Sequence, residues 1–200
     1  MNSNDNRYLA REELIAMGFK HLGSDVLIAR TARLYGAEYM SIGNRSLIDD
    51  FCVVSGNFQM GANVHIAHGC RVIAGREGVV MEDFSGLAFG VTVFAQSDDY
   101  TGLALTNPTV PMKYRKISRG AVTLCRHAIV GAGAVVFPGV VIGEGASVGS
   151  LTMVTHNLEP WSVNFGIPAK KIKQRKREML ELERAYLAEL SASPLPDGES

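Results

Sequence analysis

The chain has 200 residues, of which 46% are hydrophobic, enough for one domain with a substantial core. Twenty basic residues balance twenty acidic ones, so no global field favours nucleic acid or an acidic membrane surface, and neither is expected as a partner. Three cysteines give no paired framework, no apolar run approaches the ~20 residues of a membrane span, and the N-terminus does not read as a signal peptide, so a cytoplasmic protein is expected.

Residues 1–21 read as an N-terminal cap, with Arg11–Gly18 (REELIAMG) as a short helix closed by glycine that covers an otherwise open edge. From Leu22 onward a large aliphatic residue returns at every sixth position. The column runs Leu22, Ile28 and Leu34. A two-residue slip resets it to Ile42, Ile48, Val54, Met60, Ile66 and Val72, and a three-residue insertion near Gly78 resets it to Met81, Leu87 and Val93. It is clearest in Leu124, Val130, Val136, Ile142, Val148 and Val154, each of the first five followed four residues later by Ala128, Ala134, Val140, Ala146 or Thr152. Period six fits neither a helix nor a simple strand, so it calls for a repeat architecture. Each hexad makes one flat strand and one corner, and three hexads close a triangular coil of roughly eighteen residues. The partner column holds small residues, including Cys52 and Cys70, read as buried thiols. Phe58 and Arg76 break it.

Over 98–120 the phase disappears. Pro108, Pro111 and many polar groups mark an excursion loop whose Tyr, Leu and basic content suits packing on a neighbour. The coils resume and end near Leu158. Residues 159–192 read as a turn and a C-terminal helix, with Ile172, Met179, Leu182, Tyr186 and Leu190 on one face, and 193–200 as a disordered polar tail. The expected fold is all-β: a parallel β-helix solenoid over 22–158, with one excursion loop and a C-terminal α-helix.

The regular hexads, the loop thrown out midway and the ending Gly166-Ile167-Pro168-Ala169-Lys170 resemble the hexapeptide-repeat acyltransferases, and within them the acetyltransferases of bacterial sugar and surface-polysaccharide pathways. Ile167 departs from the asparagine usual in that ending. The resemblance implies a left-handed solenoid, against the usual right-handed crossover. It also implies acetyl-CoA as co-substrate and a homotrimer with active sites in the grooves between adjacent subunits. A loop and an amphipathic helix that need covering are consistent with such closed association. The implied activity is acetyl transfer to a sugar hydroxyl, with transfer to the amino group of a nucleotide-linked sugar as the alternative.

Acyl transfer from a thioester needs a proton acceptor for the attacking group and a donor for the oxyanion. In the family a histidine near the start of the loop commonly supplies the base, and Asp98 stands there in this sequence. His65 and His68, in NVHIAHGC, sit where side chains should point outward. His65 is therefore the first candidate for the base, oriented by Asp98 or Asp99, since a carboxylate on one ring nitrogen fixes the tautomer and raises basicity, and His68 is a further catalytic candidate. The choice between His65 and Asp98 stays open. Tyr100, Asn107 and Tyr114 are candidates to line the acceptor site. By resemblance, Gly131, Ala132, Gly149 and Ser150 form a ledge for the pantetheine arm, flanked by Ile167 and Pro168. Lys170, Lys171, Lys173 and Arg175 offer phosphate partners. His127 is a further candidate for cofactor contact. His68-Gly69-Cys70 also resembles a segment of the γ-class carbonic anhydrases, but the spacing to His65 is wrong for that zinc site, and no metal is expected. An inactive binding scaffold is the remaining alternative.

Overall fold

The computed structural model describes residues 7–192, so the expected tail at 193–200 and the first six residues of the cap lie outside the described residues. The chain winds into a parallel β-solenoid of about seven turns followed by a C-terminal helix.

Three faces repeat around the coil. On the first, the interior column is Leu22, Ile42, Met60, Met81, Leu124 and Ile142, continued by a bridge to Leu158. On the second it is Ile28, Ile48, Ile66, Leu87, Val130 and Val148, ending on Asn164. On the third it is Leu34, Val54, Val72, Val93, Val136 and Val154. Each column is the hexad phase read from the sequence, and its burial excludes water from the whole axis of the coil. The last rung is polar. Asn164 is buried there because its side-chain amide donates to the Ser147 carbonyl (3.2 Å) and to the Ser162 hydroxyl (2.8 Å).

The phase resets have structural causes. The two-residue slip is a 3-10 turn at Ala37–Tyr39. The insertion near Gly78 is a bulge inside the long strand Arg71–Met81, which carries Arg76 out to solvent. Phe58 does not break the core. It is fully buried and registers with Val79, because the third-to-first corner is wider there and has room for a large ring. Cys52 and Cys70 are buried thiols, donating to the carbonyls of Ala67 (3.1 Å) and Ala88 (3.0 Å).

At the N-terminal end, helix α1 (Arg11–Ala16) buries Leu14 over the first coil. At the other end the solenoid runs past Leu158. Strand Ser162–Phe165 extends the second face and pairs antiparallel with Lys170–Gln174. Ile172 therefore lies on a strand, not on the helix face expected for it. The helix, α2 (Met179–Ala192), starts later and folds back along the first-to-second corner. Tyr186 donates to Asn63 Oδ1 (2.9 Å), and Glu183 accepts from Arg126 and pairs with His127 Nε2 (2.8 Å). No residue of α2 is buried and Leu182 is exposed, so these polar contacts and the edge-on packing of the Tyr186 and Phe84 rings hold the helix. Among the described residues no helix is long and apolar enough to cross a membrane.

Candidate functional site

Three regions gather chemistry-bearing side chains. The first lies at the corner between the second and third faces. His65 projects from the second face with half of its side chain exposed, and its Nε2 is 2.8 Å from Asp49 Oδ2. Asp49 is buried one coil back and also pairs with Arg7 (2.8 Å). Arg7 bonds Asp50 (2.7 Å) and reaches His68 Nε2 (2.8 Å). A guanidinium only donates, so His68 Nε2 must accept, which puts the ring proton on Nδ1 in the neutral form. That Nδ1 is 3.3 Å from Asp49 without forming a hydrogen bond. Asp50 is held below the usual carboxylate range by the Thr31 hydroxyl (2.6 Å) and by Arg7. The partner of His65 is thus Asp49, not Asp98 or Asp99. Asp49, Asp50 and His68 are close enough to share a cation, and the guanidinium of Arg7 takes that place. His65 also lines a groove of about 510 Å³ with Ala67, Gly86, Ala88 and Ile129, walled by Met179 and Arg175.

The excursion loop is the second region. Strands Gln96–Asp98 and Ile117–Arg119 form an antiparallel ribbon at its root. Asp98 accepts from Arg115 Nη2 (3.0 Å) and from the Asn107 N–H (3.0 Å). These contacts, Arg115 first, hold its carboxyl below the usual range. Asp99 is depressed in the same way by the Thr101 hydroxyl and by the N–H groups of Thr101, Leu103 and Ala104, which it caps. Asp98, Asp99 and Tyr100 line a cleft of about 410 Å³ with Lys116, Phe137 and Thr155. Tyr100 is 91% exposed and Tyr114 is exposed, whereas Asn107 folds the loop by capping Thr109. Within one chain the structure does not bring Asp98 or Asp99 to His65.

The third region is the late corner read as a cofactor ledge. Gly131 packs on Gly149-Ser150, where a Cβ would come within 2.6 Å of the Ser150 nitrogen. Gly149 is not open, because the Phe165 ring covers it at 1.9 Å from where a Cβ would stand. The turn before Lys170 is tied to Met153 through Gly166 and Ala169, and leaves Ile167 and Pro168 exposed. Lys170, Lys171 and Lys173 belong to an exposed edge strand, so the helix dipole does not act on them, and Lys171 pairs with Glu159. Arg175 turns inward. Its Nη1 donates to the carbonyls of His127 (2.9 Å) and Gly145 (3.0 Å), and burial lowers its pKa. His127 is a buried corner residue, stacked on Phe84, with its pKa lowered chiefly by burial. Its side chain is 7% exposed.

Sequence reasoning missed Asp49, Arg7 and Glu183. An aspartate pair after the interior residue Ile48 was the available signal for the first.

Fold and site together define a solenoid protein with grooves along its stacked coils. No protein-family model matches the sequence. The chain is 38% identical to the dTDP-4-amino-4,6-dideoxy-D-glucose acyltransferase of Escherichia coli over 90% of its own length and 94% of that protein. The solved structure of AntD, an N-acyltransferase from Bacillus cereus, in complex with dTDP and 3-hydroxybutyryl-CoA, superposes with a TM-score of 0.92 at 41% identity, covering 94% of this chain and 100% of that one. A variant of AntD in complex with dTDP-4-amino-4,6-dideoxyglucose and coenzyme A superposes at 0.91 with 42% identity, covering 92% and 99%. The chain belongs to the hexapeptide-repeat β-helix acyltransferase family, and it is an acyltransferase.

Proposed function

We propose that the protein transfers an acyl group from acyl-CoA to the amino group of a dTDP-linked 4-amino-4,6-dideoxy sugar. The observation that carries this is the near-complete overlay on an N-acyltransferase that holds dTDP and an acyl-CoA. It favours the amino acceptor over the hydroxyl that the family resemblance put first. Asp98 supports the same choice. A hydroxyl nucleophile needs a base poised near neutral pH. An amine attacks through its own lone pair and develops positive charge on nitrogen, so an ionised carboxylate both stabilises that charge and takes the proton. The amine adds to the thioester carbonyl, the tetrahedral oxyanion collapses, and the coenzyme A thiolate leaves and is protonated.

Tyr100 and Tyr114 line the acceptor side of this reading, with Asn107 holding the loop. The pantetheine arm follows Gly131, Ala132 and Ser150, past Ile167 and Pro168, with Lys170 and Lys173 free for phosphate. The exposed side chains of Tyr100, Leu103 and Leu105 on the loop, and of Phe51, Phe89 and Leu151 down the second-to-third corner, support a homotrimer whose grooves the loops complete. A second reading makes His65 the base, because its contact with Asp49 has the geometry of an oriented imidazole.

The test is incubation of the purified protein with dTDP-4-amino-4,6-dideoxyglucose and, separately, acetyl-CoA and 3-hydroxybutyryl-CoA. Thiol release and product mass are the readouts. Acylation of the amino sugar, with none of dTDP-glucose, is the expected result. Equal acylation of a hydroxyl-only sugar nucleotide would refute N-transfer. A loss of about 10²–10⁴-fold in His65→Ala with Asp98→Asn nearly silent would move the base to His65.

A further inference from the structure

Arg7 ties the segment ahead of α1 to the solenoid, and the contact that completes the tie works in one protonation state only. The Arg7 carbonyl accepts from the Arg30 N–H (2.9 Å), Tyr8 bridges to Ala29, and the Leu9 N–H donates to the Ile28 carbonyl (2.9 Å). This segment therefore lies along the first coil, and its guanidinium reaches the next two. It bonds Asp49 Oδ1 (2.8 Å) and Asp50 Oδ2 (2.7 Å) in the second coil and His68 Nε2 (2.8 Å) in the third. Helix α1 has its own anchors, the buried Leu14 and the two oxygens of Glu13 on Arg30 (2.8 Å each).

Neutral His68 accepts from Arg7. Imidazolium carries a proton on both nitrogens and accepts nothing, so a proton on Nε2 sets donor against donor and one positive charge against another. Both carboxylates then have a second cation within reach. His68 Nδ1 stands 3.3 Å from Asp49 Oδ2, and Nε2 stands 3.7 Å from Asp50 Oδ2. In the neutral arrangement that Nδ1 is buried without a hydrogen-bond partner, a cost that closing on Asp49 removes. Other groups face the cluster from each element packed there. His65 Nε2 shares Asp49 Oδ2 (2.8 Å), the Thr31 hydroxyl holds Asp50 (2.6 Å), the Tyr8 ring lies 5.2 Å from the guanidinium, and Phe89 lies 5.8 Å from the His68 ring. None of them supplies the acceptor that protonated His68 withdraws. The His68 side chain is 43% exposed, so solvent protons reach it.

We propose that this cluster is an acid-sensitive clasp. Arg7–Leu9 is held on the solenoid while His68 is neutral, and is let go when His68 takes a proton and replaces Arg7 on Asp49 and Asp50. Amide exchange at Leu9 and Arg30, whose N–H groups bond across this segment, reads the clasp. It is measured on the full chain at about pH 8 and about pH 5.5, either side of the ordinary imidazole range, with each rate divided by that of an unfolded peptide at the same pH. The expected result in wild type is protection at least about tenfold lower at the acid value, while Val135, bonded to Thr152 in the late coils, keeps its own. His68→Gln still offers Arg7 an acceptor and takes no proton, so it should be equally protected at both values. His68→Lys is charged throughout and should show the low protection at both. Melts near wild type establish that the variants fold. Wild-type protection indifferent to pH would overturn the proposal, as would His68→Lys protected like wild type at the higher value. So would His68→Gln that loses protection as wild type does, which would move the response to His65 or Asp49.

Discussion

Asp98→Asn tests the chemistry most directly. The carboxylate accepts from Arg115 through one oxygen and from the Asn107 N–H through the other, both at 3.0 Å. An amide keeps one acceptor and turns its NH2 towards the other donor, so the structural damage is one hydrogen bond in an exposed loop. On a partly exposed loop such a charged contact contributes about 1 kcal/mol or less, a shift of under about tenfold. Removing the proton acceptor lowers turnover by about 10²–10⁴-fold, so the chemical effect exceeds the structural one by at least a factor of about ten. Arg115→Ala breaks the same clamp but leaves the carboxylate, and is expected to cost less than about tenfold. The pH profile adds a sign. Arg115 and the Asn107 N–H depress Asp98, so it is ionised at all pH values above the ordinary carboxylate range. Its clamp is complete there and is lost only as pH falls through the depressed value. Between about pH 5 and 9 the rise in kcat/KM should therefore follow loss of the acceptor ammonium's proton, near pH ~8 for an amine beside electron-withdrawing groups, as in a chain's α-amino group, and should not move in Arg115→Ala. Thiol release measured across that range supplies kcat and KM for all three proteins. Asp98→Asn that keeps more than about a tenth of wild-type turnover, or that falls no further than Arg115→Ala, would refute the reasoning.

Glu183→Ala removes the partner of both Arg126 and His127. A loss of about 1–3 kcal/mol in docking is expected, seen as faster amide exchange across α2; exchange unchanged in 179–192 would mean other contacts hold the helix. Gly145→Ala places a Cβ 2.5 Å from the Trp161 ring at a φ of +64°. It should cost about 2–4 kcal/mol, a melt lowered by roughly 4–16 °C, and a wild-type melt would contradict the stacking. Chelator treatment should leave turnover and melting unchanged, because the Arg7 guanidinium fills the space among Asp49, Asp50 and His68. A drop in either would put a metal there.

The solenoid was legible because its interior admits one solution. A residue facing the axis must return after each strand and corner, and Leu124 through Val154 keep that period without interruption. The slips were legible as insertions, but not their consequence. Arg76 looked like a flaw in the small column, and only the register of Phe58 with Val79 makes it a bulge. The His65–Asp49 contact was hidden because it joins consecutive coils across a corner. Ile172 misled because an amphipathic spacing does not reveal that Lys170–Gln174 finds a strand partner in Ser162–Phe165. Nor does the sequence show that Asp98 and Asp99 are engaged by their own loop.

A strict hexad solenoid has three equivalent corners and no reason to bind anything at one of them, so function must lie where equivalence is broken. Here each corner is broken differently. Helix α2 seals the first-to-second corner through Glu183 and Tyr186. The second-to-third corner carries the exposed side chains of Phe51, Phe89 and Leu151, an apolar stripe that suits another solenoid better than water. The third-to-first corner takes the widened turns, the side chains of Lys20, Arg76 and Arg119, and the excursion loop with Asp98. On the proposed reading the interruption after Val93 carries the acceptor loop, and the uninterrupted late hexads hold that loop in register beside the cofactor ledge.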